Sequence, residues 1–245
     1  MLFFEVEKLT KSFGGLMAIR ELDISLEEGE TMGLIGPNGS GKTTLFNLIT
    51  GFLKPDKGLL QFKGQLINGL KPHKVCEIGI TRTFQLVKPF NEMTVVKNVM
   101  VGRIYGRKPA QTLLQAGIES REILKFVGLA DKSDMIAGNL TLPDRKRLEL
   151  ARALATKPDL LLLDEIMAGL NPVEVESAIQ LVKNIRDLGI TVIIVEHIIR
   201  AVLDISNKIV VINFGEKIAE GKPQEVIKNP KVIEAYFGRG WNARS

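Results

Sequence analysis

One nine-residue stretch constrains the fold of this chain more than any other feature of its sequence. Residues 36–44 read Gly-Pro-Asn-Gly-Ser-Gly-Lys-Thr-Thr, which fits the phosphate-binding pattern G-x-x-x-x-G-K-[ST]. The apolar run 31–35 before it predicts a buried strand, and residues 44–49 after it predict a helix. A glycine-rich turn that matches by accident is the alternative, and the flanking strand and helix argue against it.

The loop predicts a site for nucleotide phosphates and a magnesium ion. Its glycines allow successive backbone N–H groups to point inward at a helix N-terminus, where they form a nest for an anion. We expect Lys42 to reach the β- and γ-phosphates and the Thr43 hydroxyl to ligate Mg²⁺. The predicted nucleotide-binding residues of the loop are Gly36, Pro37, Asn38, Gly39, Ser40, Gly41, Lys42, Thr43 and Thr44.

Composition limits the class of protein. The 245 residues are enough for one large α/β domain, or a core plus a subdomain, and 45% of them are hydrophobic. The net charge of +5 comes without a dense basic block, so dispersed lysines explain it better than nucleic-acid binding. Weak attraction to an anionic membrane surface fits equally well.

The cysteine content and the hydropathy of the sequence indicate the cellular compartment in which we expect the chain. Cys76 stands alone, so an intrachain disulfide is excluded, which is consistent with a reducing cytoplasm. The chain lacks an apolar run near the ~20 residues that span a bilayer, and its first residues are too few and too acidic for a signal peptide. We therefore expect any membrane role to come through a partner.

The patterns around the loop predict mainly strands. Alternating residues 2–9 and 19–26 predict a small antiparallel sheet beside the nucleotide site, joined by a turn at 11–15. Phe13 on that turn either stacks on adenine or belongs to the core. Residues 58–62 and 78–85 predict two more strands, the second of which ends at Gln85.

Residues 94–155 predict helices alone, and hence a helical subdomain inserted into the α/β core. Pro143, with Asp144 behind it, suits the first turn of the last of these helices. Further on, Asn171 and Pro172 predict the start of a helix that Gly189 ends. Residues 208–213 and 217–220 predict a hairpin, followed by short helices at 223–228 and 230–237.

Two strands end in side chains suited to catalysis. The leucine-rich run 159–163 predicts a strand that is buried on both faces, and it leads into Asp164 and Glu165. Since α/β sheets bind ligands at the carboxyl ends of their strands, Asp164 is predicted to hold Mg²⁺ through water, and Glu165 to deprotonate the attacking water. His197 follows the predicted strand 190–195 and has the same setting. A surface carboxylate pair and a structural histidine are the alternatives.

Together these motifs resemble the ATP-binding cassette, the motor subunit of ABC transporters, over essentially the whole chain. Gln85 matches the Q-loop, residues 160–165 the Walker B segment and residues 168–172 the D-loop. His197 falls at the switch histidine and Phe13 at the adenine-stacking aromatic. Residues 218–221 and 229–238, with 81–85 and 168–172, resemble in particular the ATPases of branched-chain amino-acid uptake systems.

The resemblance implies an α/β fold with the RecA-like core of P-loop NTPases, made of mainly parallel sheet. An N-terminal antiparallel β subdomain and an inserted helical subdomain complete the ABC ATPase fold. We expect one domain over residues 1–238, with the helical subdomain at about 92–155 and a flexible tail at 239–245.

The resemblance also implies roles for single residues and for partners. ATP and Mg²⁺ are the expected cofactors. The expected partners are a second ABC ATPase subunit, identical or different, two transmembrane permease subunits and, indirectly, an extracytoplasmic binding protein. No nucleic acid is expected as a partner. The expected location is the cytoplasmic face of the cell membrane. Closure is expected to reach the permease through a groove near residues 85–87. The implied site residues are Glu165, His197 and Gln85 for catalysis, Thr43, Gln85 and Asp164 for the metal, and Phe13 and Thr141 for the nucleotide.

The sequence departs from the family pattern in two places. Ile166 stands where proline is usual, a tolerable change. The signature motif, normally Leu-Ser-Gly-Gly-Gln, is here Leu-Thr-Leu-Pro-Asp at residues 140–144. Thr141 keeps the hydroxyl, whereas Pro143 lacks an N–H and Asp144 brings a carboxylate close to where a partner's phosphate is expected.

The function expected from the resemblance is that of an ATP-hydrolysing motor for branched-chain amino-acid uptake. Urea or amide uptake and lipopolysaccharide export use similar ATPases and remain open. A soluble ABC protein acting on DNA or ribosomes is less well supported, because the chain has one cassette and no long coiled-coil insertion. The variant signature keeps open a regulatory subunit that hydrolyses little.

Overall fold

The computed structural model describes residues 2–85 and 88–237 of the chain. In that part of the chain the strands are β1 (Phe4–Phe13), β2 (Leu16–Leu26), β3 (Thr31–Ile35), β4 (Lys57–Phe62), β5 (Gln65–Leu66), β6 (Ile80–Arg82), β7 (Leu160–Asp164), β8 (Thr191–Val195), β9 (Lys208–Asn213) and β10 (Glu216–Gly221). The α-helices are α1 (Lys42–Ile49), α2 (Pro72–Glu77), α3 (Val95–Tyr105), α4 (Leu113–Phe126), α5 (Leu142–Ala155), α6 (Pro172–Asp187), α7 (Ile199–Ile205), α8 (Pro223–Val226) and α9 (Pro230–Phe237). Short 3-10 turns lie at Ala130–Lys132 and Ala137–Asn139.

The chain divides into two compact units. The P-loop unit has the bounds Met1–Pro72 and Thr191–Ser245, and the helical unit has the bounds His73–Ile190. The expected single domain over residues 1–238, its helical subdomain at 92–155 and its tail at 239–245 stay predictions. That tail, the first residue and residues 86–87 lie outside the described residues.

The P-loop unit contains the predicted antiparallel sheet, with strand order β2-β1-β4-β5. β1 runs past residue 9 to Phe13, so the turn expected at 11–15 is wrong in its start, and the chain reverses at Gly14 and Gly15. The register of β1 with β2 shifts after Val6, where Lys8 has a φ of 43°. Such bulges interrupt the alternation of side chains, which is why the pattern read from sequence ends early.

A second group of strands in this unit is mainly parallel. β3 pairs with β8 on one side and with β9 on the other, and β10 pairs antiparallel with β9. All five residues of β3 and of β8 are buried. The predicted β9–β10 hairpin and the two short helices after it are confirmed, and Val226 and Val232 of those helices pack in one cluster with Ile35 at the end of β3.

The helical unit combines a parallel strand pair, β6 and β7, with α3, α4 and α5, where α3 packs on both other helices. The helices predicted for residues 94–155 are confirmed, and Pro143 lies in the first turn of α5 as expected. The strand predicted for 78–85 is too long. β6 ends at Arg82, because the Phe84 N–H bonds the Glu149 carboxylate at 2.5 Å instead of continuing a ladder.

Helix ends follow the chemistry that the sequence indicates, but two short helices were not predicted. Asn171 caps α6 in a capping box with Glu174, and Gly189 follows the helix end with a φ of 82°. The sequence does not predict α2 or α7, because six and seven residues make too short a pattern to recognise.

Candidate functional site

The P-loop is built from β3, a glycine-rich turn and α1, as its pattern requires. Gly36 has a φ of 155°, and a Cβ there would lie 2.0 Å from the Ile212 carbonyl oxygen. Gly41 has a φ of 109°, and its Cβ would lie 2.6 Å from the Ala18 carbonyl oxygen. Side chains at these two positions would therefore displace the loop from β9 and β2.

Lys42 directs its side chain back into this loop. Its Nζ donates hydrogen bonds to the carbonyl oxygens of Gly36 at 2.7 Å and Pro37 at 2.9 Å, and contacts the Ser40 hydroxyl at 3.4 Å. The residue is 7% exposed. An ammonium held at the centre of a loop of backbone amides is an attractive site for a polyphosphate.

The start of α1 complements this charge. Its N-cap, Gly41, has no side chain to bond the first N–H groups, and the first turn carries no acidic residue. These donors and the positive end of the helix dipole favour an anion. Thr43, in the same turn, is exposed, so its hydroxyl is accessible to a ligand.

Two other predicted residues belong to the P-loop unit. Phe13 ends β1 with 46% of its surface exposed, and the Lys11 ammonium lies 5.6 Å from the centre of its ring. This exposure rules against a place in the core, whereas adenine stacking stays a prediction. His197 lies two residues after β8 and is exposed. The other histidine, His73, is exposed on α2.

In the helical unit, β7 delivers Asp164 at its carboxyl end. All five residues of the strand are buried, and Asp164 is 4% exposed. Its Oδ2 accepts a hydrogen bond from the Arg82 guanidinium at 2.7 Å, and its backbone N–H donates to the Thr83 hydroxyl at 3.0 Å. The carboxylate is thus held in one orientation by β6.

Glu165 follows in a strained backbone conformation, with a φ of 50°. Gln85 donates from Nε2 to Glu165 Oε2 at 2.8 Å, so the structure brings these two predicted catalytic residues together. Lys146 on α5 donates to the Glu165 carbonyl oxygen at 2.8 Å. The Gln85 contact holds the Glu165 side chain, and the Lys146 contact holds its backbone.

In the signature stretch, Thr141 and Asp144 contact each other. Thr141 is the N-cap of α5 without capping the helix through its side chain. Its hydroxyl instead donates to Asp144 Oδ2 at 2.7 Å, and Lys132 donates to the same oxygen at 2.7 Å. Burial alone would raise the pKa of Asp144, but the hydrogen bonds from Lys132 and Thr141 outweigh it and hold that pKa below the usual range.

The basic residues after this stretch are engaged elsewhere. Arg145 donates to the carbonyl oxygens of Leu140 at 3.0 Å and Gly138 at 2.7 Å. Lys146 reaches Glu165, as described above. Neither contact includes Thr141 or Asp144, so in this conformation these two cations do not replace the missing donor of Pro143.

The donors fit magnesium. Thr43 in the P-loop unit and Gln85 and Asp164 in the helical unit each offer oxygen, the ligand that Mg²⁺ prefers. Among the described residues there is no cluster of three or more His, Cys, Asp or Glu side chains that would hold a metal by itself. The chemistry of these oxygen donors therefore fits magnesium.

The sequence pattern of the ABC transporter family matches residues 19–168. The chain belongs to the ABC transporter family. The predicted α/β P-loop fold of an ABC ATPase is thereby confirmed, and with it the assignment as an ATPase. Residues 216–241 match a second pattern, the branched-chain amino acid ATP-binding cassette transporter.

Individual relatives agree with this assignment. The high-affinity branched-chain amino acid transport ATP-binding protein BraF of Pseudomonas aeruginosa is 40% identical, over 96% of this chain and 97% of that protein. A nucleotide-free ATP-binding cassette from an ABC transporter superimposes with a TM-score of 0.87 at 34% identity, covering 97% of this chain and all of that one. A dimeric bacterial ABC transporter cassette superimposes with a TM-score of 0.81 at 26% identity, covering 90% and 98% of the two chains.

Some residues of this site had no signal in the sequence. Lys132 pairs with Asp144 from a 3-10 turn twelve residues earlier, where no periodic pattern exists. Glu149 binds the Phe84 N–H although its sequence position indicates only a helix, and burial raises the pKa of this carboxyl. Arg82 belongs to the stretch that resembles the family, but its contact with Asp164 depends on the pairing of β6 with β7.

Proposed function

We propose that this chain is the ATP-hydrolysing subunit of an importer for branched-chain amino acids. The choice of transported substrate is supported by the match of residues 216–241 to the branched-chain family, together with the 40% identity with BraF over nearly the whole chain. The P-loop geometry around Lys42 supports the nucleotide.

The phosphates of ATP are bound by this chain's own loop. Lys42 moves its ammonium from the Gly36 and Pro37 carbonyl oxygens to the β- and γ-phosphates, and the N–H groups of residues 38–44 complete the cradle. Thr43, Gln85 and Asp164 would hold the magnesium ion, which would supply positive charge to offset that of the phosphates. Phe13 stacks on the adenine ring from the exposed end of β1.

Glu165 accepts a proton from the attacking water. A general base must be oriented as well as basic, and the contacts from Gln85 and Lys146 supply that orientation. His197 lies at the carboxyl end of β8, the edge at which α/β sheets bind ligands, and contacts the γ-phosphate as the switch histidine.

A second ABC ATPase subunit completes the motor. In the pair, Thr141 and the N-terminus of α5 face the ATP of the partner subunit, as the family resemblance implies. A related cassette is dimeric in its solved structure, which supports such a pair. Two permease subunits and an extracytoplasmic binding protein complete the importer at the cytoplasmic face of the membrane.

A groove in the helical unit suits the permease. It has a volume of about 270 Å³, and it is lined by Cys76, Thr81, Arg82, Phe84, Val101, Gly102, Tyr105, Glu149, Arg152, Ala153 and Thr156. Tyr105 is 77% exposed and Phe84 is 43% exposed, so aromatic surface is available to a partner. Leu86 and Val87, also expected near this contact, lie outside the described residues. Among the described residues, no helix has the length and apolar composition to cross the membrane itself.

Transport by the reconstituted complex tests the proposal. The chain is purified with its co-purifying membrane subunits and placed in liposomes with the binding protein, and ATP-dependent uptake of labelled leucine, isoleucine and valine is measured. We expect uptake of all three, and its loss when Glu165→Gln replaces the parent chain. Uptake of urea or an amide in their place, or uptake that is indifferent to Glu165→Gln, would overturn the proposal.

A further inference from the structure

A buried arginine reaches the predicted magnesium ligand. Arg82 ends β6, with only 6% of its side chain exposed, and its terminal nitrogen lies 2.7 Å from Asp164 Oδ2. We propose that Arg82 is a positioning residue that orients Asp164 for the magnesium of the bound nucleotide. This inference rests on the metal-binding role proposed above for Asp164.

Arg82 is itself fixed from three directions. Its guanidinium carbon lies 4.6 Å from the centre of the Phe84 ring, a cation–π arrangement. Its Nε donates to the Thr83 carbonyl oxygen at 3.1 Å, and its terminal nitrogen to Asp164. A planar guanidinium with these three contacts has little rotational freedom left, so it can transmit an orientation to the carboxylate.

The surrounding backbone fixes the other end of Asp164. The Asp164 N–H bonds the Thr83 hydroxyl at 3.0 Å, and the Thr83 N–H bonds the Leu162 carbonyl oxygen at 2.9 Å. Main chain and side chain of Asp164 are therefore both held by residues 82–83. Removing the Arg82 contact removes one restraint on the orientation of the carboxylate, while the Thr83 contact still holds its backbone.

The chemistry of a carboxylate permits both contacts at once. An ionised carboxylate offers about four lone-pair directions on its two oxygens, so a guanidinium on Oδ2 leaves acceptor capacity for metal-bound water. Groups that orient a metal ligand commonly alter metal affinity by 10–100-fold when removed. Because Asp164 acts through water, we expect the lower end of that range, about tenfold.

The experiment compares ATP binding with and without magnesium. For the full-length chain, the dissociation constant of ATP in EDTA is divided by that in saturating Mg²⁺, and by linkage this ratio reports the magnesium affinity of the ATP complex. Arg82→Met should lower the ratio about tenfold and leave the EDTA value within about twofold, because the P-loop contacts remain. Arg82→Lys keeps the charge and should recover part of the ratio.

Two further variants separate the possible outcomes. Arg103→Met removes another buried ion pair of the same unit, that of Arg103 with Glu119, and should leave the ratio unchanged. Asp164→Asn should lower the ratio, and in that background Arg82→Met should have no further effect. If Arg82→Met does not fold, Phe84→Leu removes the ring that holds the guanidinium, and should lower the ratio less but in the same direction.

The refuting results are distinct. If Arg82→Met and Arg103→Met have equal ratios while Asp164→Asn lowers the ratio, the role proposed for Arg82 is wrong and the role of Asp164 stands. A higher ratio in Arg82→Met would show that Arg82 competes with the metal. An unchanged ratio in Asp164→Asn would instead contradict the metal assignment on which the inference rests.

Discussion

The signature stretch leads to an unexpected prediction, namely that removing a charge from Asp144 strengthens ATP-driven pairing. Thr141 has one hydroxyl proton, and it is donated to Asp144 Oδ2. To bind a partner's phosphate, Thr141 must give up that bond. In Asp144→Asn the shape is kept, but the competing acceptor is a neutral amide.

The magnitude follows from the difference between the two acceptors. Hydrogen bonds to charged groups contribute about 1.5–3 kcal/mol, and those between neutral groups about 0.5–1.5 kcal/mol. In the parent chain the hydroxyl exchanges one charged acceptor for another, with little net gain. In Asp144→Asn it exchanges a neutral acceptor for a phosphate and gains about 1–1.5 kcal/mol, which tightens the pair about tenfold per signature contact.

The cost appears in stability rather than in pairing. The Lys132–Asp144 ion pair has a carboxylate 10% exposed and an ammonium 32% exposed, so we expect a loss of about 1 kcal/mol in the free energy of unfolding. Because the pKa of Asp144 is lowered in the folded chain, its contribution is present above the ordinary aspartate pKa and is lost as the pH falls through the lowered value. Asp144→Asn should lack that part of the acid dependence.

Sedimentation of the chain with ATP measures the effect. In a Glu165→Gln background we expect turnover to be slow enough for the ATP-bound pair to accumulate. The dissociation constant of that pair is compared with and without Asp144→Asn. Asp134→Asn is the matched control, because it removes the exposed Asp134–Arg121 ion pair of the same unit. Thr141→Val should cancel the gain. Equal pairing with and without Asp144→Asn, or a gain that survives Thr141→Val, would refute the reasoning.

Four further outcomes are expected. Glu165→Gln should lower turnover by a factor of roughly 10²–10⁴ while ATP still binds, as measured by phosphate release and equilibrium binding; near-parental turnover would contradict its role as the base. Phe13→Ala should weaken ATP binding by ~1–3 kcal/mol with an unchanged melting temperature in the absence of nucleotide, and a large loss of that stability would argue against stacking. Lys42→Ala should abolish most turnover of a reconstituted pair with a different ATPase, and the equivalent change in the partner should be tolerated better; equal losses would contradict this asymmetry. Hydrogen bonds from Lys157, Gln115 and Arg103 lower the pKa of Glu119 to about 2, so the parent chain should lose stability as the pH falls from about 4.5 towards 2. Glu119→Gln should lose less over the same range, as measured by the free energy of unfolding in urea.

The motifs were predictable from sequence because each rests on local chemistry. The P-loop is specified by the spacing of Gly36, Gly41 and Lys42, and the structure shows why the glycines are needed, since a Cβ would meet backbone oxygens. The buried strand before Asp164 follows from an unbroken leucine run, and the capping box at Asn171 from residues three apart.

The contacts that tune these motifs were not predictable, because they join distant residues. Asp144 was expected to stand near a partner's phosphate, but its pairing with Lys132 depends on a 3-10 turn with no sequence pattern. Gln85 was expected at a strand end, and its bond to Glu165 requires that the strand stop three residues earlier. The pattern of a single sequence reports periodicity among neighbouring residues, whereas these pairs are brought together by the fold.

The same contacts bear on whether the motor pairs like with like. The family resemblance implies that each ATP needs the P-loop of one subunit and the signature of the other. A pair of two identical chains would then have a committed Thr141 hydroxyl at both sites. A pair with a different ATPase that has an unmodified signature would have one such site and one unimpaired site, the latter served by Lys42, Asp164 and Glu165 of this chain. Replacing one copy of this chain by such an ATPase should stabilise the ATP-bound pair by about 1–1.5 kcal/mol, the value derived above for Asp144→Asn. We therefore expect this chain to work beside a different ATPase, with hydrolysis concentrated at its own Walker motifs.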